Sequence, residues 1–314
     1  MMFFFVLKRI AWAILTLLVA SGIAFILVHV SGSTPGGVAL GQSATPEQVF
    51  AYNESVGWYE PWIVQYAQWV GQVLQGNLGV SLIDGRPIGP DIAKRLPVTA
   101  ALALGGALLS ALIGVVLGVV AAVRGGAVDR FVTVVTGIML SLPAFWVGIL
   151  LVYFFAVQAR LLPATGFVPF EVNPEKWFKS LVLPVLTIAI TSAGFIARQT
   201  RASMAESLAQ EHIRTLRAVG TPAWRVIYVH ALRSASLPIL ATVAVQFIVL
   251  FGGSVMIELL FALPGIGQAM QSAVGSADLP FVQALVLVAT LVVVIVNVLL
   301  ETLNRALDPK LRTS

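Results

Sequence analysis

Long runs without charge constrain this chain more than any other feature. Six runs lack Asp, Glu, Lys and Arg: Ile10–Val30, Leu96–Val123, Phe131–Ala159, Ser180–Ala197, Ser234–Ile257 and Leu279–Leu300. A helix of about 20 apolar residues crosses the hydrocarbon core of a bilayer, which is about 30 Å thick. Only 11% of the residues are charged, against about 25% in a typical soluble domain. The runs therefore predict an all-α, polytopic membrane protein with six transmembrane helices.

The first run could be a cleaved signal peptide or the first transmembrane helix. It is longer than the apolar core of about 7–15 residues that signal peptides have, which favours the helix. We therefore predict three regions. Residues 1–31 form an N-terminal segment and the first transmembrane helix, 32–95 form a polar region outside the membrane, and 96–314 form the transmembrane core.

The polar region carries signals for two short helices. Thr45 followed by Pro46 and Glu47 is typical of a helix N-cap, and the helix is expected to end near Ser55. A second amphipathic helix is predicted over 62–74, with aromatic residues of the kind found at membrane boundaries. A structural cap over the spans is favoured over a ligand site. The apolar segment 258–280 is interrupted by Pro264-Gly265, and it is predicted to be a re-entrant or surface loop.

The basic residues predict the orientation. With the N-terminus in the cytoplasm, thirteen of the 19 lysines and arginines lie in inner segments, Lys310 and Arg312 among them. Positive residues concentrate on the cytoplasmic side of membrane proteins. Both termini and the polar segment 198–238 are therefore expected in the cytoplasm.

Segment 198–238 is a long basic insert between two apolar spans. Its pattern predicts a helix from Ser207 to Val219, a stop at Gly220-Thr221-Pro222, and renewed helical spacing from Trp224. A sharp turn at Gly220 would use the positive φ that glycine tolerates. A helix, a glycine turn and a second helix outside the membrane suit a docking surface for a soluble partner.

Several kinds of chemistry are missing from the sequence. It contains no G-x-x-x-x-G-K-[ST] motif for nucleotide phosphates and no cysteine, and its three histidines are too far apart to share a metal. No serine has convincing histidine and aspartate partners. We expect no enzymatic activity, no bound metal or cofactor and no nucleic-acid partner.

Polar residues and prolines inside the spans are candidates for a translocation pathway. They are Ser141, Pro143, Trp146, Thr191, Ser192, Gln246 and Ser254. The alternative is that such hydroxyls bond to backbone or hold helices together. Pro143 and Pro184 are expected to kink their helices. Mid-span acids are almost absent, which disfavours an ion-coupled secondary transporter and favours a conduit driven by a partner. A membrane scaffold without a conduit is the other rival.

Six features in order resemble the permease subunits of ABC importers, in the dipeptide, oligopeptide and nickel branch. They are the opening Leu7-Lys8-Arg9; Trp62–Tyr66 followed by Gly76–Leu82; Arg95–Thr99; Leu140–Trp146; the insert 198–238; and Glu258–Gly267 with a closing Leu307–Lys310. The resemblance implies the type I importer permease fold in the bacterial inner membrane. It also implies four kinds of partner: a second homologous permease, two ATPase subunits that hold ATP and Mg²⁺, an extracytoplasmic binding protein, and membrane lipids.

The resemblance also assigns sites. The residues that would dock on the ATPase are Ala209, Glu211, His212, Ile213, Arg214, Thr215, Leu216, Arg217, Ala218, Val219 and Gly220. Residues of an outer loop that would border the pore mouth are Glu258, Phe261, Pro264, Gly265 and Gly267. Arg214-Thr215-Leu216 replaces the family's Glu-Ala-Ala, and 33–37 lacks the usual acid after the first span. Peptide is the implied substrate, with nickel, glutathione, opines and oligosaccharides left open.

Overall fold

The structure is a computed structural model that describes the backbone of residues 2–307 and the side chains of 8–302. Three residues of the predicted closing motif, Asp308, Pro309 and Lys310, lie outside this part of the chain, as does Arg312. Within it, the regular elements are all helical, apart from one isolated bridge between Val80 and Pro87. The all-α prediction is confirmed.

Two compact units divide the described residues. The first comprises 2–98 and Pro264–Val298, and the second comprises Thr99–Leu263 and 299–307. The helices, in chain order, are α1 (Met2–Val30), α2 (Pro35–Leu40), α3 (Pro46–Ser55), α4 (Trp62–Leu74), α5 (Ile88–Arg124), α6 (Gly126–Ser141), α7 (Ala144–Leu151), α8 (Pro174–Ala209), α9 (Glu211–Ala218), α10 (Leu232–Gly253), α11 (Val255–Leu260), α12 (Ile266–Gly275) and α13 (Leu279–Leu307). Segments of π-helix follow α7, at Val152–Gln158, and precede α10, at Arg225–Ala231.

Within the first unit, the polar region folds against α1. Tyr66 of α4 donates its hydroxyl to the Leu18 carbonyl at 3.0 Å and lies 2.8 Å from the Ser21 hydroxyl. His29 stacks on Trp58 with 4.3 Å between ring centroids. The predicted helices α3 and α4 are both present, and Thr45 forms a complete capping box at the start of α3.

A short hairpin joins α4 to α5 in the same unit. Its Ser81 donates a hydrogen bond of 2.5 Å to Asp278, and the Leu82 amide donates another of 3.1 Å to the same carboxylate. Asp278 is only 2% exposed. A buried carboxylate is costly without donors, and here the two donors tie the hairpin to the residue that precedes α13.

Close helix packing dominates the second unit. Added Cβ atoms at Gly114 and Gly118 of α5 would lie 2.7 Å from Ile196 and 2.5 Å from Thr200, both on α8. Small residues four apart let membrane helices approach closely. Helix α8 consequently buries more of its span than the other helices that could cross a membrane, and it runs without a break through Pro184.

The predicted single span Phe131–Ala159 is broken. Helices α6 and α7 meet at an angle of 97° across Leu142 and Pro143. Pro143 has no amide hydrogen to continue the helix, and the residue before a proline is pushed out of helical geometry. Leu142 accordingly has φ −81° and ψ 128°. Among the described residues, five continuous helices are long and apolar enough to cross a membrane, and the number of candidate spans is six if this broken pair is counted as one.

The loop predicted over 258–280 is mostly helical, so the loop prediction is wrong in that respect. Helix α11 covers its start and α12 covers Ile266–Gly275. The predicted interruption at Pro264-Gly265 is present, but it is short, and α12 begins at the next residue, Ile266. The predicted span Ser234–Ile257 likewise ends early, at Gly253.

Candidate coupling site and pathway residues

The elbow between α8 and α10 is the first candidate site. We use "the elbow" for residues 210–224. Helix α8 continues to Ala209 and breaks at Gln210, so the predicted helix start at Ser207 is wrong. Ser207 is 2% exposed and donates a 3.0 Å hydrogen bond to the Ala231 carbonyl, which binds the end of α8 to the π-helical segment.

One buried side chain anchors the elbow to the long helices of the second unit. Ile213 of α9 is fully buried in an apolar cluster with Met204 of α8 and Ile239 of α10, and Leu216 packs half-buried at its edge. Fully burying an isoleucine contributes about 1.5–3 kcal/mol. The short helix α9 is thus attached to two long helices through its single buried face.

The turn after α9 has the positive φ that was predicted at Gly220. Gly220 has φ +78°. Its amide donates to the Arg217 carbonyl at 3.1 Å, and the Thr221 amide donates to the Leu216 carbonyl at 3.0 Å. This pair of hydrogen bonds is a Schellman motif, which satisfies carbonyls left open at a helix end.

Most of the surface of α9 and of the residues beside it is exposed. Every predicted coupling residue is exposed except Ile213 and the half-buried Leu216: Ala209, Glu211, His212, Arg214, Thr215, Arg217, Ala218, Val219 and Gly220. Val219 is 72% exposed, and nearby Trp224 and Tyr228 are 56% and 59% exposed. Arg225 lies 5.4 Å above the Trp224 ring. The surface therefore combines arginines with large apolar groups, as protein interfaces do. Trp224 and Tyr228 were not among the predicted docking residues, although large apolar side chains in a polar insert are a usable signal for such a surface.

The seven pathway candidates differ in their exposure. Ser141, Pro143 and Trp146 are exposed around the break between α6 and α7. Thr191 bonds back to its own helix at the Thr187 and Ile188 carbonyls. Ser192, Gln246 and Ser254 are buried. Whether any of the seven lines a pathway stays a prediction.

Glu258, predicted on an outer loop, is fully buried. Its Oε1 atom accepts hydrogen bonds from Thr99 at 2.7 Å and from Ser254 at 2.8 Å. Phe261 is 2% exposed, and its carbonyl accepts from the Gly166 amide at 2.9 Å. In the first unit, Pro264 is half-buried and Gly265 and Gly267 are buried. The partner Thr99 was missed, because 159 residues separate it from Glu258 and no spacing rule connects them.

An ion pair between α6 and α8 was also missed. Asp129 receives two hydrogen bonds from the guanidinium of Arg201, one of them from Nη2 at 2.6 Å. Within 2–307, the structure brings together no group of three or more His, Asp or Glu that could hold a metal ion.

The helices and the elbow define a polytopic helical membrane protein with an exposed basic segment between two long helices. Residues 114–313 match the family described as binding-protein-dependent transport system inner membrane component, and residues 2–103 match the N-terminal region of such components. The chain therefore belongs to this family. It is a multi-pass permease component of the inner membrane.

Relatives match along the whole chain. A Sinorhizobium fredii protein, named as a probable peptide ABC transporter permease, y4tP, is 34% identical over 98% of this chain and 99% of its own length. The glutathione transport system permease GsiC of Salmonella paratyphi A is 33% identical over 98% of each chain. An inward-facing structure of the MetNI methionine ABC transporter has a TM-score of 0.57 at 19% identity, over 69% of this chain and 96% of that one. This last likeness supports the fold alone.

Proposed function

We propose that this chain is one permease subunit of an ATP-driven importer of peptides. ATP would be hydrolysed on separate ATPase subunits, and a binding protein would deliver the peptide. The names of the full-length relatives support the peptide assignment, since glutathione is itself a small peptide. Nickel, opines and oligosaccharides remain alternatives within the same importer class.

The observation that carries the proposal is the two-sided construction of α9. Ile213 fixes α9 to the apolar cluster, while Arg214 and Arg217 are exposed on the same helix and Val219 is exposed directly after it, where they can meet a partner. An element that is anchored on one side and exposed on the other can transmit a push. A helix that served only to connect two spans would not need exposed apolar groups.

The contacts of the elbow suggest how movement would spread. Ile213 shares its apolar cluster with residues of α5, α8 and α10. A tightly packed cluster transmits displacement without deforming much. Movement of α9 by an ATPase would therefore shift the ends of three membrane helices together, as in rigid-body switching between access states.

The break at Pro143 indicates where the translocation pathway would run. The 97° bend leaves polar Ser141 and the ring of Trp146 exposed between two helices in the middle of a span. Irregular backbone at membrane depth requires cover from protein or a water-filled cavity. We propose that the bend faces the translocation pathway, which the second permease subunit completes.

Docking can be tested by peptide-stimulated ATPase activity in the reconstituted complex. Arg217→Glu and Val219→Ser change exposed groups, so they should leave folding nearly intact and reduce stimulation. Arg130→Glu is a matched control, because Arg130 is also exposed but lies on α6. Equal loss of stimulation in the control and the elbow variants, or no loss in any of them, would contradict the docking assignment.

Single cysteines can test both partners, because the chain contains none. Gln271 is exposed on α12, and Arg225 is exposed beside the elbow. A cross-linker at Gln271→Cys should capture the binding protein and not the ATPase, and one at Arg225→Cys should do the reverse. Capture of the binding protein from Arg225→Cys would refute the proposed orientation.

A further inference from the structure

A basic cleft lies between α6 and α8, separate from the elbow. Its volume is about 250 Å³, and its lining residues are Val132, Thr133, Thr136, Ala197, Arg198 and Arg201. All of it belongs to the second unit.

Arg198 is an exposed arginine of the cleft that has no acidic partner among the described residues. Among the described residues, its side chain has no hydrogen bond and no ion pair, whereas Arg201 is held by Asp129. The Asp129–Arg201 pair is neutral as a unit, so the three side chains together carry one positive charge. The Thr133 hydroxyl, on the opposite wall, likewise has no hydrogen-bond partner among the described residues. An arginine next to a free hydroxyl matches the several acceptor oxygens of a phosphate group.

The level of the cleft along the helices corresponds to a membrane boundary. Arg198 directly follows the uncharged run that ends at Ala197, and on α6 the uncharged run begins directly after Arg130. The run on α8 is 18 residues long, or about 27 Å of helix, which is close to the thickness of the hydrocarbon core. Lipid phosphates lie just beyond this core.

Apolar side chains lie beside the cleft on its hydrocarbon side. Phe195 of α8, about one helical turn before Arg198, is 53% exposed, and Val132 of α6 is one of the lining residues. A free phosphate ion would gain nothing from these groups. Acyl chains attached to the phosphate would cover them.

We propose that this cleft binds the headgroup phosphate of an acidic phospholipid through Arg198, with Thr133 as a second donor. Basic pockets between membrane helices are known binding places for acidic headgroups. The lipid would fill the groove between α6 and α8 beside the Asp129–Arg201 pair. The assignment does not depend on the substrate of the transporter.

The test uses the whole transporter complex in phosphatidylcholine nanodiscs that contain a minor fraction of phosphatidylglycerol. Native mass spectrometry counts the phosphatidylglycerol that is retained. Arg198→Gln should lower its apparent affinity by about tenfold, which is what the loss of one charge-assisted contact amounts to. Arg198→Lys should retain part of the affinity, since it keeps the charge without the planar fork.

Arg130→Gln is the matched control. Arg130 carries the same charge and also borders an uncharged run, on α6, but it does not line the cleft. This variant should change retention by less than about twofold, as a diffuse surface charge would. Equal effects of Arg130→Gln and Arg198→Gln would overturn the proposal. Displacement of phosphatidylglycerol by millimolar inorganic phosphate would also overturn it in favour of a free anion. Loss of complex assembly by Arg198→Gln in pure phosphatidylcholine would overturn it in favour of a protein partner.

Discussion

Gly220 offers a sharp test of how the elbow works. Its φ is +78°, and an added Cβ would meet nothing within 4 Å. Gly220→Ala therefore introduces a conformational cost without a clash. A left-handed residue with a Cβ costs about 1–2 kcal/mol, which shifts the ratio of ordered to unwound turn by about 5–30-fold.

We expect Gly220→Ala to reduce peptide-stimulated ATPase activity while basal activity stays unchanged. Gly220→Asn should lose less, because asparagine tolerates this backbone region. Gly220→Pro should lose more, because proline cannot adopt the angle and also removes the 3.1 Å hydrogen bond to the Arg217 carbonyl. The activities are compared in the reconstituted complex at saturating peptide.

Gly125 provides the control. It has φ +61°, and an added Cβ would also meet nothing within 4 Å, but it joins α5 to α6. Gly125→Ala should lower the melting temperature about as much as Gly220→Ala and leave stimulation intact. Equal loss of stimulation in Gly125→Ala and Gly220→Ala would refute the proposed role of this turn, and so would losses at Gly220 that do not increase from asparagine to alanine to proline.

Three further outcomes can be measured by thermal unfolding of the purified complex. Glu258→Ala should lower the free energy of unfolding by about 1–3 kcal/mol, because the buried hydroxyls of Thr99 and Ser254 lose the carboxylate as an acceptor. Glu258→Gln should recover much of this stability. Equal losses in the two variants would contradict the role of these hydrogen bonds. Gly118→Ala should destabilise by about 1–3 kcal/mol, since its Cβ would lie 2.5 Å from a side chain of α8, whereas Gly252→Ala has open space and should not. Hydrogen bonds from Arg86 lower the pKa of Asp84 to about 2. A lowered pKa stabilises the fold above the ordinary value and stops doing so as pH falls through the folded value. The difference between wild type and Asp84→Asn should therefore be constant from pH 7 to pH 5 and shrink only below about pH 4; a change between pH 7 and pH 5 would argue against the pair.

Local patterns in the sequence predicted most of the architecture. Charge-free runs of sufficient length indicated six spans, because a helix in lipid forms all of its backbone hydrogen bonds internally and needs no distant partner. The cap at Thr45 and the turn at Gly220 were also correct, since each depends on residues only a few positions apart. The predictions failed at boundaries: the start of α9 and the loop after Glu258 both depended on how far a neighbouring helix continues.

The polar interior is what only the tertiary structure decided. Glu258 and Thr99 are 159 residues apart, Asp278 and Ser81 are 197 apart, and all of these side chains are nearly or fully buried. Burial of a carboxylate is tolerated only where donors converge on it, and that convergence arises from helix packing rather than from any local pattern. For the same reason, the sequence alone predicts for Arg198 only that it lies in the basic insert 198–238 on the cytoplasmic side. The packing of α6 against α8 left it without an acidic partner beside a cleft, because Asp129 pairs with Arg201 instead.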